Sequence, residues 1–406
     1  MATGIKDAAD AVSAAAVMRP LPARPRLLGL GEPTHGEDSL LDLRNELFRQ
    51  LVEQEGYRTI AVESDCMMGL VVDDYVTSGT GTLDEVMEHG FSHPDLGLGA
   101  SAANRELVRW MRAYNDGRPE SERLSFAGFD GPLEFTGAAS PRQALTALHG
   151  YLAAQVDAHL LPCTAETLDG LLGTDDRWTD PAAMTDPAHS MGRSAAARQL
   201  RLLADDLVAL LDAQTPHLIE ATSRGDWDRA RLYGRTATGL LRYHHWTADT
   251  SPARMTRLVS ARAQMMAHNL LAVAAGGPAL VHAHNSHLQR EKSTMQMWEG
   301  PVEWWSAGAL VSARLGQEYA FVATALGTIG HRGVDAPPPD TVEGLLYALP
   351  RDRCVVDAPR LAAVLGDTRP APRVSPWFGY SPLDPAHLAH SDGIVFVKDV
   401  PQIRHH

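Results

Sequence analysis

The chain has 406 residues, 44% hydrophobic and 21% charged, a composition that suits a globular protein of two or three structural units. Its 36 basic residues face 50 acidic ones, a formal net charge of -14, and so acidic a surface disfavours nucleic acid or an anionic membrane as partner. The three cysteines, Cys66, Cys163 and Cys354, are too widely spaced for a disulfide framework or a thiolate zinc site, and they fit a reducing cytoplasm.

Along the chain, the apolar stretch from Ala11 to Val17 is short and follows Asp7 and Asp10, where an export signal would carry positive charge. His405 and His406 read as the stub of a purification tag. Arg26 to Gly31 reads as a strand ending at Glu32, and Pro33-Thr34-His35-Gly36 as the turn after it. From Asp38 to Glu55, apolar residues at Leu40, Leu43, Leu47, Phe48, Leu51 and Val52 give the spacing of an amphipathic helix, closed by Gly56. Thr59 to Val62 forms a second strand, ending at Glu63. A strand, a helix and a strand of these lengths make a parallel βαβ unit.

A third strand, Leu124 to Phe129, ends at Asp130, and a fourth, Ala279 to Ala283, ends at His284-Asn285. Later strands are expected from Tyr319 to Thr324 and from Ile394 to Val397. Between about 141 and 262 the periodicity is helical, as in Ala196 to Asp212 and Trp227 to Tyr243, apart from a turn-rich stretch from Gly173 to Asp186. The apolar run from Leu270 to His282 is too short to span a bilayer and contains Gly276, Gly277 and Pro278. The pattern predicts an α/β fold: a mostly parallel central sheet flanked by helices, with a helical insertion between the third and fourth core strands. Residues 1–140 and 262–406 would form the two halves of the core, and residues 141–261 the insertion or lid.

Four of these strands end in ionisable or polar groups: Glu32 with His35, Glu63 with Asp65, Asp130, and His284 with His287. In a parallel sheet the carboxyl ends share one edge, where ligand crevices form. Polar residues after strands are ordinary in themselves, because loops are polar. Two carboxylates and several histidines on one edge nevertheless make a workable acid–base set. Arg44 lies on the apolar stripe of its helix, and a buried arginine is costly unless a carboxylate pairs with it. Glu32 and Glu63 are its expected partners; the alternative is that Arg44 sits at the rim and snorkels to solvent.

Other motifs are weaker. Gly29-Leu30-Gly31 lacks the spacing of a dinucleotide loop, and no GxSxG elbow is present. Cys66 reads as a buried structural cysteine, while His244-His245 and Trp304-Trp305 read as packing or pocket wall. Glu32, His35, Glu63, His284 and His287 could also bind a divalent metal. No tight ligand motif such as HExxH supports this, and Arg44 would add positive charge beside a cation. The expectation is no cofactor, with a divalent metal as the alternative.

Gly31-Glu32-Pro33-Thr34-His35-Gly36, Arg44 and Phe48, and Val62-Glu63-Ser64-Asp65 together resemble the opening of the erythromycin esterase-like family. The likeness continues through Trp110 to Asn115, Phe126 to Asp130 and His282 to His287, and it runs from about residue 26 to the end. The resemblance implies an α/β core with helical additions, a deep cleft, and hydrolysis of a macrolide lactone by activated water without a covalent intermediate or a required metal. By position, His35 resembles the general base, Glu32, Glu63 and Arg44 its supporting shell, and His284 and His287 the pair across the cleft. Asp65, Asp130, Asn285, His93 and Trp110 are assigned to substrate binding. Two departures stand out: Pro33 replaces the family's usual alanine, and from Phe91 to Asn104, where macrolide-acting relatives tend to carry tryptophan and an acidic residue, this chain has Phe91-Ser92-His93-Pro94-Asp95-Leu96-Gly97 and alanines at Ala100, Ala102 and Ala103.

The leading expectation is an esterase-like hydrolase (carboxylic ester or lactone type) of antibiotic resistance or secondary metabolism. His35 would activate water against an ester or lactone of a small natural product. The alternative keeps the same acid–base residues for intramolecular displacement, elimination or ring closure in biosynthesis. A third reading is a non-catalytic small-molecule binding protein. All three fit a cytoplasmic protein, and a monomer is compatible with each.

Overall fold

Leu27, Leu28 and Leu30 alternate with two glycines in a strand that is buried along its whole length, as a central parallel strand requires. The computed structural model describes residues 9–91, 101–134, 137–297 and 300–400. In chain order the strands are β1 (Ala9–Asp10), β2 (Leu27–Glu32), β3 (Thr59–Asp65), β4 (Ser125–Asp130), β5 (Leu133–Glu134), β6 (Gly137–Ala138), β7 (Ala279–His284), β8 (Lys292–Met297), β9 (Gly300–Trp305), β10 (Tyr319–Thr328), β11 (Arg353–Asp357) and β12 (Gly393–Asp399). Eight of them form one sheet in the order β1-β11-β12-β10-β2-β7-β3-β4, while β5 pairs with β6 and β8 with β9 as two small hairpins. From β12 to β4 the neighbours run parallel, and β11 pairs antiparallel with both β12 and β1.

The main helices are α1 (Asp38–Glu55), α2 (Gly69–Ser78), α3 (Ala102–Asn115), α4 (Arg142–Gln155), α5 (Ala195–Ala213), α6 (Arg224–Thr247), α7 (Arg254–Gly276) and α8 (Ala307–Leu315). The apolar stripe of α1 is buried as its spacing predicts, and Gly56, at φ 71°, closes the helix in a left-handed conformation that glycine adopts without strain. Helices cover both faces of the sheet: α1 and α3 pack with Leu28, Leu30 and Ile60 on one side, and α7 and α8 with Leu27, Ala61 and Val281 on the other.

Between β4 and β7 the chain is helical, as expected, and α4, α5 and α6 enclose an apolar core of their own built on Leu148, Leu200, Leu207 and Leu241. The turn-rich stretch there forms short 3₁₀ turns and a single-turn helix, Ala182–Thr185. Helix α7 runs unbroken through residues 261 and 262 and delivers the chain to β7. The expected strands are present; β10 and β12 extend beyond the predicted ends, and β1, β11 and the β5–β6 and β8–β9 hairpins are additional. No helix of the described residues is long and apolar enough to cross a membrane.

The registers decide what meets at the carboxyl edge. Glu32 lies opposite His284 across β2 and β7, and Val62 lies opposite His282 across β3 and β7. A register shift in β3 between Val62 and Asp65 sets Glu63 and Ser64 outside the regular ladder with β4.

Candidate active site

The carboxyl edge opens into a cavity of about 730 Å³. Its floor holds Glu32, His35, Glu63, Arg262, His282, His284 and His287. Residues far apart in sequence meet there because strand ends of parallel sheets do. Gly36, at φ 78°, turns the chain after His35 back into α1.

His35 is the most exposed of these histidines, with 41% of its side chain open to the cavity. Its Nδ1 lies 2.7 Å from Glu32 Oε1 and therefore donates, leaving Nε2 as the cavity-facing nitrogen, 3.9 Å from Glu63 Oε1. Burial alone would lower the pKa of His35, but Glu63 and Glu32 more than offset it and raise the imidazole to about 9. Burial likewise pushes the Glu32 carboxyl up; His282 and the bond from His35 outweigh this and leave it below its ordinary value.

Glu63 is the hub. Its Oε1 takes His287 Nε2 at 3.1 Å and Arg262 Nη2 at 3.3 Å, and its Oε2 accepts the backbone N–H of His284 at 2.8 Å. Burial opposes ionisation, yet His287, His35 and Arg262 together hold the carboxyl well below the usual carboxylate range. Arg262 is anchored in turn by Asp130, whose Oδ2 accepts from its Nη2 at 2.6 Å and its Nε at 3.0 Å, with Oδ1 3.2 Å from the same Nε.

His284 is set up differently. The backbone N–H of Ser286 reaches its Nδ1 at 3.2 Å, and an N–H can only donate, so Nδ1 accepts and the neutral ring carries its proton on Nε2. Burial and the neighbouring His35 lower this ring to about 4, which keeps it neutral. His284 is thus a fixed donor 5.4 Å, ring to ring, from His35. His282 is also lowered to about 4 by burial, and its Nε2 lies 3.6 Å from Glu32 Oε2.

Arg44 is buried, 2% exposed, and lines the cavity as expected of a site residue. Its hydrogen bonds, however, go to the amide oxygens of Asn45 (2.7 Å) and Asn104 (2.9 Å), and it forms no ion pair with Glu32 or Glu63. Burial lowers its pKa to about 10, partly offset by the charge of Glu32. The cation that does pair with the site carboxylates is Arg262, which motif reading missed. One signal pointed to it: Arg262 sits four residues after Leu258 and four before Met266, both buried, the same stripe argument that singles out Arg44. His282 carried a comparable signal, an imidazole two residues before His284 in an apolar strand, hence on the same face.

Four residues expected to bind substrate lie behind the cavity rather than in its wall. Asp130 grips Arg262 and the backbone N–H of Gly131. Asp65 Oδ1 accepts from the backbone of Met67 and Met68 at the start of α2. Asn285 bridges to β10 through both the N–H and the C=O of Thr324. Trp110 packs edge-on against Phe48. His93 lies outside the described residues. The wall is instead made by Leu41, Phe91, Met295, Trp304, Trp377 and Phe378, the last two on a segment held by Arg373, which donates to the carbonyls of Leu326, Gly327 and Asp335. Cys66 is buried as expected, beside Thr236, and its thiol is pushed up to about 12 by burial.

Among the described residues no group of three or more His, Cys, Asp or Glu is arranged to hold a metal ion. The charge-balancing cation beside Glu63 is the guanidinium of Arg262.

The sequence matches the model of a family described as erythromycin esterase over residues 52–400. An erythromycin esterase type II from Escherichia coli is 28% identical over 110 residues; that match spans 26% of this chain and only 24% of the relative's length. Among solved structures, a Bacillus cereus protein superposes with a TM-score of 0.74 at 17% identity, covering 98% of this chain and 97% of its own. A succinoglycan biosynthesis protein gives 0.71 at 15% identity, over 98% and 96% of the two chains. A mutant of the erythromycin esterase EreC in its open conformation gives 0.64 at 18% identity, over 95% and 93%. At these identities the structures speak for a shared fold.

Proposed function

The chain belongs to the erythromycin esterase family, and on that premise we propose that it hydrolyses an ester or lactone of a natural product with a water activated by His35. The observation that carries the reading is the Glu32–His35 pair, with Nδ1 committed to the carboxylate and Nε2 left to face the cavity beside Glu63.

The chemistry follows from these positions. Neutral His35 takes a proton from water at Nε2, and the hydroxide oxygen attacks the carbonyl carbon. Glu32 and Glu63 stabilise the imidazolium that forms, as a triad carboxylate does, and the same effect raises the resting pKa to about 9. Charge developing on the carbonyl oxygen is met by His284 Nε2–H, a donor whose direction is set before substrate arrives. On collapse of the tetrahedral intermediate, the proton on His35 passes to the leaving alkoxide. The products are an acid and an alcohol, or one hydroxy acid from a lactone. His287 and Arg262 hold Glu63 in place, a positioning task.

The cavity suits a large substrate with much apolar surface. Met295, Trp304, Trp377 and Phe378 line it, and Phe378 is 84% exposed at its mouth. Carried over from the E. coli relative, a macrolide lactone heads the panel to test.

The test is incubation of the protein with erythromycin and related lactones and esters, followed by product mass. Gain of one water, lost in His35→Ala, supports the proposal. A product isomeric with its substrate would replace hydrolysis by ring closure or displacement on the same residues. Binding without turnover in the wild type would leave a binding protein.

A further inference from the structure

Helix α6 carries Arg231, Arg235, Thr238 and Arg242 at spacings of four, three and four residues, one continuous face. Three like charges on one helical stripe repel one another, and none of these arginines forms an ion pair with a carboxylate among the described residues. In a chain with a net charge of -14, carboxylates are abundant, yet none has been placed within ion-pair distance of this stripe.

The stripe borders a cavity of about 100 Å³ between α6 and α7, lined by Arg235, Thr238, Arg242, His268 and Asn269 among others. No lining residue is shared with the candidate active site. Arg235 is half-buried; its Nε donates to Asn269 Oδ1 at 3.1 Å, and among the described residues no hydrogen bond engages its terminal amino groups. Desolvation and the charge of Arg231 disfavour its charged form more than Cys66 and Asp228 favour it, and desolvation with Arg314, Arg242 and Arg235 holds His268 below the ordinary histidine value. Positive potential is concentrated in a concave, partly desolvated place with donors to spare.

We propose that this cavity binds a phosphate-type oxyanion, held by Arg235 and Arg242. Two planar guanidiniums present paired N–H donors that match the oxygens of a tetrahedral dianion, and a dianion relieves the repulsion along the stripe as no single-charged ion does. The volume accommodates one such group and excludes a whole nucleotide. The site is independent of the proposed hydrolysis, so the failure of either leaves the other standing.

The test is isothermal titration of the full chain with inorganic phosphate and with glycerol 3-phosphate at constant ionic strength, with chloride and acetate as controls. Phosphate binding above the controls is expected, weakened about tenfold or more in Arg242→Met and in Arg235→Met. Arg242 is solvent-exposed, so its variant should fold, which circular dichroism checks. Tighter binding of glycerol 3-phosphate would identify a phosphorylated metabolite as the ligand, and equal or weaker binding the free ion. Phosphate that binds no better than chloride, or binds both variants as it binds the wild type, overturns the proposal.

Discussion

His35 illustrates how a residue's neighbours decide its chemistry. Burial by itself would lower this imidazole; between Glu32 and Glu63 it is raised to about 9. The base form is the deprotonated one, so the rate should increase with pH from neutrality and level off near 9. A pH–rate profile checks this, and a limb that falls between 7 and 9 would assign His35 to the acid role. His35→Ala should lower kcat by about 10²–10⁴-fold with the fold intact, the usual contribution of a positioned base. Arg262→Met should do a different kind of damage. It leaves Asp130 without its cation and removes one of the partners of Glu63, a loss on the order of 3 kcal/mol, measurable as a lower denaturant midpoint. His35 was legible because a turn motif marks it. Arg262 showed only its place on a buried stripe, since nothing in its flanking residues says that α7 passes beneath the ends of β3 and β4.

At the scale of elements, the site depends on how closely strands and turns approach. A Cβ on Gly31 would fall on Asn285 Oδ1, the atom that accepts from Thr324 N–H and ties the end of β7 to β10. Gly31→Ala should therefore displace the turn bearing His284 and His287. We expect activity to fall more than about tenfold, with only a modest change in melting temperature; a variant as active as wild type would show that this turn tolerates movement. Secondary structure itself was largely readable. Period-3.6 spacing located α1, α5 and α6, and buried apolar runs located β2, β3, β4 and β7. The β8–β9 hairpin escaped notice because its strands are short and half-exposed, and β11 because its identity as a strand rests on partners distant in sequence.

For the molecule as a whole, several histidines tie folding to pH in opposite senses. His244, His282 and His284 are lowered to about 4 by burial, so between the unfolded value of 6.5 and 4 the unfolded chain binds protons that the folded one refuses. Stability must fall as pH drops through that window. His35 is raised to about 9, so its contribution is complete below 6.5 and is lost as pH rises toward 9. Melting temperature should peak near pH 6.5 and decline on both sides. In His35→Ala the alkaline decline should be smaller; an unchanged alkaline limb would show that His35 is not raised in the folded state.

The amino-acid sequence by itself determined the α/β class, the helical segment between β4 and β7, and the convergence of Glu32, His35, Glu63, His284 and His287. These are consequences of local periodicity and of a rule of parallel sheets, that strand ends share an edge. Only the tertiary structure decided which cation answers which carboxylate, and which polar residues face the cavity. Asp130 and Asn285 point away into bracing bonds, Arg44 turns to Asn45 and Asn104, and Arg262 takes the place expected of it. The direction of a side chain at a strand end depends on register shifts and on what packs against it. Both are set by residues tens to hundreds of positions away, where no local pattern reaches.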